Sequence, residues 1–159
     1  MEQIRVRVTV VVEHQGKILL IQERSGQELQ YSLPGGGIEY QEKIPDAVQR
    51  EVWEETGLLV QFRRLLWLDE RIHLEEGKHT IGVGVLAELI GEDTTPMAGG
   101  IEGENITWAG WVDMDEFRKW PLDNLHRRDQ VIKALTDKHY LAEYIGNVFS
   151  NFLDDDPDK

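Results

Sequence analysis

Alternating apolar residues mark two strands of the chain. Residues 4–12 and 81–89 each carry an apolar side chain at every second position, which is the period of a strand with one buried face. The four residues 14–17, His-Gln-Gly-Lys, predict a hairpin turn directly after the first of these strands. Shorter apolar runs predict further strands at Ile18–Ile21, Glu28–Leu33 and Ile106–Val112.

Proline and glycine delimit a helix in the first half of the chain. Pro45 suits a first helical turn, where its missing N–H costs nothing, and Gly57 suits the position just past a helix end. A second helix is predicted from Asp123 to Tyr144. The stretch Pro34–Gly37 is expected to interrupt regular structure, and Pro96–Gly103 is expected to be a loop.

Length and charge predict a single soluble globular domain over residues 1–146, followed by an acidic, disordered tail over residues 147–159. The net charge of −13 disfavours duplex nucleic acid and anionic membranes as partners. No uncharged apolar run approaches ~18 residues, so no membrane span is expected. The chain contains no cysteine, which excludes disulfides and thiolate chemistry. We expect a cytoplasmic protein.

Three glutamates on the first helix suggest a metal site. At about 100° per residue, Glu51, Glu54 and Glu55 share one arc of the helix roughly 100° wide. Like charges at these spacings destabilise a helix, so a cation is expected to compensate them. Carboxylate oxygens without cysteine suit Mg²⁺ or Mn²⁺, which bind through carboxylates, waters and substrate phosphates. The alternative is a solvated acidic helix face.

Glycines before the helix favour the site over that alternative. Gly35, Gly36 and Gly37 let the backbone approach a ligand or a metal closely. Two other glycine-rich phosphate motifs do not fit, because the stretch lacks the last glycine of G-x-G-x-x-G and no G-K-[ST] follows. The sequence therefore favours a metal-bridged phosphate site of another kind.

The spacing of these residues resembles the Nudix box. The match includes Gly36, Glu42, Gly57 and the run Arg50-Glu51-Val52-x-Glu54-Glu55. Outside the box, the lead-in 32–36 and the stretch 111–117 also resemble the family, so the resemblance spans about residues 4–135. It implies an α/β fold, with a mixed β-sheet sandwiched between helices. It also implies a metal-dependent hydrolase that cleaves a diphosphate bond in a nucleoside diphosphate derivative.

The family pattern assigns roles to individual residues of this chain. It makes Glu51, Glu54 and Glu55 metal-facing carboxylates, with Arg50 orienting them and Glu42 pairing with Arg50. By the same resemblance the Gly35 carbonyl is a metal ligand. A further metal ligand or base is expected seven positions before Trp111, at Glu104, with Glu102, Glu75 and Glu76 as weaker candidates.

The substrate side of the site is less well defined by the sequence. Candidate substrate-binding residues are Arg24, Tyr31, Gly36 and Gly37. Trp67 and Trp108 are alternatives for stacking on a base, although a core role is favoured for both, and Trp111 is assigned to the core. The expected substrate is a nucleoside triphosphate or a nucleotide sugar. A non-catalytic nucleotide-sensing or protein-interaction module is the alternative, and a homodimer is left open.

Overall fold

The chain folds around one large sheet flanked by helices, and its computed structural model describes residues 2–98, 105–120 and 127–148. The helices are α1 (Ile44–Thr56), α2 (Met114–Lys119) and α3 (Arg128–Thr136). The strands are β1 (Ile4–His14), β2 (Lys17–Ser25), β3 (Glu28–Ser32), β4 (Gly35–Gly37), β5 (Val60–His73), β6 (Lys78–Leu89), β7 (Ile106–Asp113) and β8 (Glu143–Asn147).

The eight strands form a mixed sheet. Its main order is β3-β2-β1-β6-β5-β8, with β4 paired to β1 and β7 paired to β2. The pairs β1–β6 and β5–β8 are parallel, whereas the other pairs are antiparallel. The predicted mixed sheet is therefore confirmed.

Alternate residues of β1 pack against helices on opposite faces of this sheet. Val10 packs in a core cluster with Val48 and Val52 of α1. Val11, which points the other way, packs with Phe117 of α2 and Val131 of α3. The sheet is thus covered by α1 on one face and by α2 and α3 on the other, which confirms the predicted sandwich. Within the described residues, no helix is both long and apolar enough to cross a membrane.

Local signals located the first turn and the first helix correctly. The predicted hairpin turn is present, with Gln15 and Gly16 at φ 51° and 75°, as a type I′ turn requires. Pro45 lies in the first turn of α1, and Gly57 follows the helix at φ 72°. The Gly57 N–H donates to the Trp53 carbonyl over 2.8 Å, which satisfies one of the last carbonyls of the helix.

The expected interruption at Pro34–Gly37 is wrong in part. Gly35–Gly37 form β4, with Val8 of β1 paired to Gly36. A side chain at Gly35 would clash with the Val8 carbonyl. The run of glycines, which looks like a break in the sequence, therefore allows a close approach between two strands.

The predicted helix from Asp123 to Tyr144 is also correct only in part, over Arg128–Thr136. Residues 121–126 lie outside the described part of the chain, and α3 is confined to Arg128–Thr136. After it the chain turns, and the Tyr140 hydroxyl donates to the Leu66 carbonyl over 2.5 Å. The following residues pair with β5 as β8, which includes Asn147 and so passes the predicted domain boundary at residue 146. Residues 149–159, most of the predicted tail, lie outside the described residues.

Sequence analysis did not recognise β5 or α2. Irregular pairing between β5 and β6 at Phe62/Arg64 and at Leu65/Trp67 breaks the two-residue period along β5. Helix α2 has only six residues, fewer than two helical turns, which is too few for a helical period to show.

Candidate active site

Arg50 on α1 binds carboxylate side chains and a backbone carbonyl next to β4, the strand that consists of glycines. Its Nε and Nη2 donate to the two carboxylate oxygens of Glu42 over 2.7 and 3.0 Å. Its Nη1 donates to Glu51 Oε1 over 2.8 Å and more weakly to Glu54 Oε2 over 3.4 Å. Nη2 also donates to the Gly37 carbonyl over 2.9 Å. One guanidinium therefore holds three box carboxylates and the end of β4 in fixed relation.

These contacts shift the pKa values of both partners. The hydrogen bonds from Arg50 lower the pKa of Glu42 below its usual range, although partial burial opposes the shift. The hydrogen bonds to Glu42 and then Glu51 raise the pKa of Arg50 above its already high ordinary value. Both groups are therefore charged at neutral pH, and the ion pair expected between them is present.

Glu51 packs against the backbone of β4. It is buried, and its carboxylate fills the space where a side chain at Gly36 would be. Gly36 pairs with Val8 of β1, so the strand at this point cannot move away from the helix freely. The glycine thus makes room for a carboxylate that has two close partners, Arg50 and the strand.

Glu55 contacts the preceding glycine. Its Oε1 accepts a hydrogen bond from the Gly35 N–H over 2.9 Å, and only 3% of the residue is exposed. Because Val10 N–H donates to the Pro34 carbonyl, the next carbonyl along the strand, that of Gly35, faces away from β1. It therefore lies on the same edge as the Gly35 N–H and Glu55.

Glu54 lies on the outer side of this group, with its side chain 36% exposed. Among the residues that the structure describes, no three histidine, aspartate or glutamate side chains already converge as a metal centre. Carboxylates without a cation repel one another, and here Arg50 takes the position between Glu51 and Glu54. The donor set nevertheless fits a hard divalent cation, because it consists of carboxylate oxygens and an outward-facing backbone carbonyl.

Gly36→Ala is expected to impair the site more than the fold. The new methyl group would meet the Glu51 carboxylate, so the carboxylate must leave its position beside Arg50. We expect hydrolytic activity to fall by about tenfold or more, while the melting temperature falls by only a few degrees. Steady-state kinetics and calorimetry would check this. Gly77→Ala, in the exposed β5–β6 turn, is the control, and equal activity in the two variants would contradict the assignment.

The other base candidates lie in the turn between β5 and β6 or outside the described residues. Glu104 and Glu102 lie outside the described residues. Glu76 is in the turn between β5 and β6, where Lys78 Nζ donates to it over 2.6 Å. That contact lowers the pKa of Glu76. Glu75 lies exposed in the same turn.

Arg24 and Tyr31 lie on the neighbouring strands β2 and β3. Tyr31 pairs with Gln22 of β2, and Gln22 also pairs with Trp108 of β7. The rings of Tyr31 and Trp108 meet edge to face at 5.9 Å, and Tyr31 lies 4.8 Å from the ring of Trp120. Arg24 is exposed further along β2.

The remaining tryptophans have structural contacts. Trp67 is fully buried, as favoured from the sequence, and its Nε1 donates to Asp69 over 2.9 Å. Trp111 is only half-buried against the core cluster of α1, so its assignment to the core needs correction. Its Nε1 donates to the Thr94 carbonyl over 2.7 Å, which keeps this ring edge at the protein surface.

Sequence analysis missed a buried charged group on β5. Asp69 is 0% exposed and binds Arg127, the residue before α3, over 3.0 Å. Arg71 lies two residues further along the same strand. The two-residue spacing of Asp69 and Arg71 indicates that they share one face of the sheet only if residues 60–73 are recognised as a strand.

Comparison with known proteins decides the family. The family model for the NUDIX domain matches residues 1–135. The chain belongs to the Nudix family. A MutT NUDIX hydrolase from Burkholderia pseudomallei is similar in structure, with a TM-score of 0.65 and 28% identity over 85% of this chain and 100% of that chain. This Nudix chain is accordingly a hydrolase by family.

Two relatives match different lengths of this Nudix hydrolase. The ADP-ribose pyrophosphatase of Methanocaldococcus jannaschii is 28% identical over 120 residues, which are 75% of this chain and 68% of the relative. Phosphatase NudJ of Escherichia coli K12 is 38% identical over 56 residues, which are 35% of this chain and 37% of the relative. The second match spans well under two thirds of NudJ.

Proposed function

We propose that this chain is a Mg²⁺- or Mn²⁺-dependent pyrophosphohydrolase that cleaves the diphosphate linkage of a nucleoside diphosphate derivative. The observation that supports this most directly is the packing of Glu51 and Glu55 on β4. Glu55 is bound to the Gly35 N–H, and Glu51 fills the space left by Gly36. A solvated acidic helix face would not require two buried carboxylates against a strand of glycines.

In this proposal Glu51, Glu54, Glu55 and the Gly35 carbonyl would hold the metal. A bound divalent cation supplies charge neutralisation of the diphosphate and a more acidic bound water. Arg50 keeps Glu51 and Glu54 oriented, and Glu42 keeps Arg50 in place. The open side-chain space at Gly37 lets phosphate oxygens approach the backbone closely, whereas the corresponding space at Gly36 is filled by the Glu51 carboxylate.

A carboxylate is proposed to accept the proton of the attacking water. Glu104 is proposed for this role or as a further metal ligand, from its offset to Trp111 alone. The metal also explains how an anionic substrate enters a protein with a net charge of −13, because a cation reverses the local sign of the field. We expect this chain's own residues to accept the proton of the attacking water and to position the substrate.

The substrate is proposed to be a nucleoside triphosphate or a nucleotide sugar. The name of the Methanocaldococcus jannaschii relative adds ADP-ribose, which is itself a nucleotide sugar, to the substrates that should be tested. Tyr31 and Arg24 remain proposals for binding the base or a distal phosphate. The cluster of Tyr31 with Trp108 offers aromatic surface for a base. A homodimer and a cytoplasmic location also remain proposals.

A panel of nucleotides tests the proposal directly. Nucleoside triphosphates, nucleotide sugars and ADP-ribose are incubated with the protein and Mg²⁺, and released nucleoside monophosphate, phosphate and pyrophosphate are measured. We expect the protein to cleave a diphosphate bond in at least one of these compounds, and we expect EDTA to abolish the cleavage. Binding of nucleotides without any product would instead support the alternative of a nucleotide-sensing module.

Mg²⁺ is expected to stabilise the fold, because folding gathers carboxylates that the unfolded chain disperses. A ligand that binds only the native state at 100 times its dissociation constant adds about 2.7 kcal/mol, which is several degrees of melting temperature in a domain of this size. Differential scanning calorimetry in EDTA and then in Mg²⁺ measures the shift. No shift in the wild type would contradict the expectation.

The control is the double variant Glu54→Gln, Glu55→Gln. It relieves like-charge repulsion in the metal-free protein and removes metal ligands from the bound form. Its metal-free form should therefore melt no lower than the wild type, and its Mg²⁺-induced shift should be much smaller. Equal shifts in both proteins would mean that the cation binds elsewhere, for example in the acidic segment 147–159.

A further inference from the structure

Helix α1 covers only part of the sheet face on which it packs. Along β1, Val8 and Val10 are buried in the core cluster that includes α1. Val6 and Ile4 project to the same face, because side chains two residues apart in a strand share a face. They are nevertheless 37% and 59% exposed. The start of β1 therefore presents apolar side chains that α1 does not cover.

This exposed surface extends over the three strands beside β1. Paired residues of neighbouring strands project to one face, so the row that begins at Val6 continues through Ile81 of β6 to Glu70 of β5. At the sheet edge Leu68 pairs with Tyr144 of β8, and these two residues are 44% and 63% exposed. We call this surface the open sheet face, and its members are Ile4, Val6, Leu68, Glu70, Ile72, His79, Ile81 and Tyr144.

The acidic member of the open sheet face is hydrogen-bonded within the face itself. Glu70 Oε1 lies 3.0 Å from His79 Nε2, and the Tyr144 hydroxyl donates to Glu70 Oε2 over 2.5 Å. An apolar group placed over the face would therefore leave both carboxylate oxygens of Glu70 with a partner, which avoids the main cost of covering a charged side chain. An exposed apolar surface of this kind typically marks a site of contact with another segment or molecule.

The β1 end of the open sheet face is concave. Ile4, Val6 and His79 line a groove of about 1290 Å³. Tyr40, which precedes α1, and Gly77, in the turn between β5 and β6, also line it. Grooves with apolar side chains in their lining commonly hold a peptide segment whose own apolar side chains act as anchors.

The chain leaves β8 at the border of this face. The Val148 N–H donates to the Glu70 carbonyl over 3.0 Å, so the end of β8 lies beside the middle of the face. The next residues in the sequence, 149–153, are Phe-Ser-Asn-Phe-Leu, and the acidic run begins only at Asp154. Three large apolar side chains therefore follow directly after the strand that borders an uncovered apolar face.

We propose that residues 149–153 pack on the open sheet face of their own chain, with Phe149, Phe152 and Leu153 as the apolar contacts. Three strand spacings of about 4.8 Å separate β8 from β1, which is roughly 14 Å. Five extended residues span at most about 16–18 Å. The segment is therefore long enough to cross the face from β8 to the groove at the start of β1.

The proposal gives the end of the chain a place near the box. Gly37, whose carbonyl accepts a hydrogen bond from Arg50, lines the same groove as Ile4 and Val6. A segment packed in this groove forms part of the surroundings of the candidate site. The packing itself does not depend on the reaction proposed for the box, so it is tested without any substrate.

Engineered disulfides test the contact, because the chain contains no cysteine of its own. Phe152→Cys combined with Ile81→Cys, in the centre of the open sheet face, should form an intramolecular disulfide under mild oxidation. The control combines Phe152→Cys with Thr80→Cys, the adjacent position of β6 on the opposite face. The disulfide to position 81 should form at least about tenfold faster on non-reducing gels. Equal rates for the two pairs would overturn the proposal.

Melting temperatures provide a second test in the full chain. Phe152→Ser and Ile4→Ser should each lower the melting temperature by a few degrees, and the double variant should lose less than the sum, because both changes remove one shared contact. Leu59→Ser is the control, since Leu59 is 56% exposed and is not a member of the open sheet face. Its loss should add to that of Phe152→Ser. No loss in Phe152→Ser, or simple addition of the losses with Ile4→Ser, would contradict the packing.

A second copy of the chain is the competing occupant of the open sheet face. Analytical ultracentrifugation of the wild type and of Ile4→Glu should give the same mass, because the face is covered by the chain's own segment. A dimer that Ile4→Glu dissociates would assign the face to a second copy and overturn the proposal. A disulfide between two chains in the Phe152→Cys, Ile81→Cys variant would overturn it as well.

Discussion

Glu55→Gln is expected to lower kcat by about 10²–10⁴, as the loss of a metal ligand or base does. The amide oxygen of the new side chain can still accept the hydrogen bond from the Gly35 N–H, so the position of the side chain is kept while its charge is lost. Glu54→Gln is expected to lower kcat by a factor in the same range. Steady-state kinetics at saturating Mg²⁺ measure both effects.

A matched control separates loss of the site from loss of negative charge in general. Glu39→Gln removes a carboxylate that is 71% exposed and 4.0 Å from Arg50, at the edge of the same group. Its kcat should stay close to that of the wild type. Near-native turnover of Glu54→Gln or Glu55→Gln would show that the catalytic assignment of that residue is wrong.

Asp69→Ala is expected to destabilise the fold by about 3–5 kcal/mol, the usual cost of removing one partner from a buried ion pair. The change leaves Arg127 and Arg71 without their common anion. It also leaves the buried Trp67 Nε1 without its acceptor. Urea unfolding at neutral pH measures the free energy of unfolding in both proteins.

Glu76→Ala is the control for this prediction. It removes a carboxylate that is also paired, to Lys78, but lies in an exposed turn. Surface pairs of this kind contribute little, so its unfolding midpoint should match that of the wild type. If Asp69→Ala unfolded at the same urea concentration as Glu76→Ala, Asp69 would not be the structural counter-ion of Arg127 and Arg71.

Local sequence signals were reliable where one short stretch determines the structure. The turn at Gln15-Gly16 and the helix between Pro45 and Gly57 depend on residues close together in the chain, and the pairing of Glu42 with Arg50 was implied by the resemblance to the family. The arc of Glu51, Glu54 and Glu55 follows from the helical period alone. The fixed spacing of these residues also carried the resemblance to the Nudix family.

Local sequence signals failed to predict secondary structure where pairing with a distant strand decides it. The glycines of β4 read as a break, because nothing in the sequence shows that β1 lies beside them. Residues 143 and 144 read as the end of a helix, yet they belong to β8, which pairs with β5. Irregular pairing with β6 removed the periodic pattern of β5. Each error concerns a stretch whose hydrogen-bond partners lie far away in the chain.

The sequence by itself determined the family, the sandwich fold and the helix that carries the box carboxylates. The helix follows from its local sequence signals, whereas the family and the sandwich fold follow from the resemblance that the fixed spacing of the box residues carries. Only the tertiary structure decided which backbone those carboxylates pack on. It alone also showed that Asp69 of β5 is buried against Arg127, because tertiary packing brings together residues that are distant in the chain and leaves no local pattern.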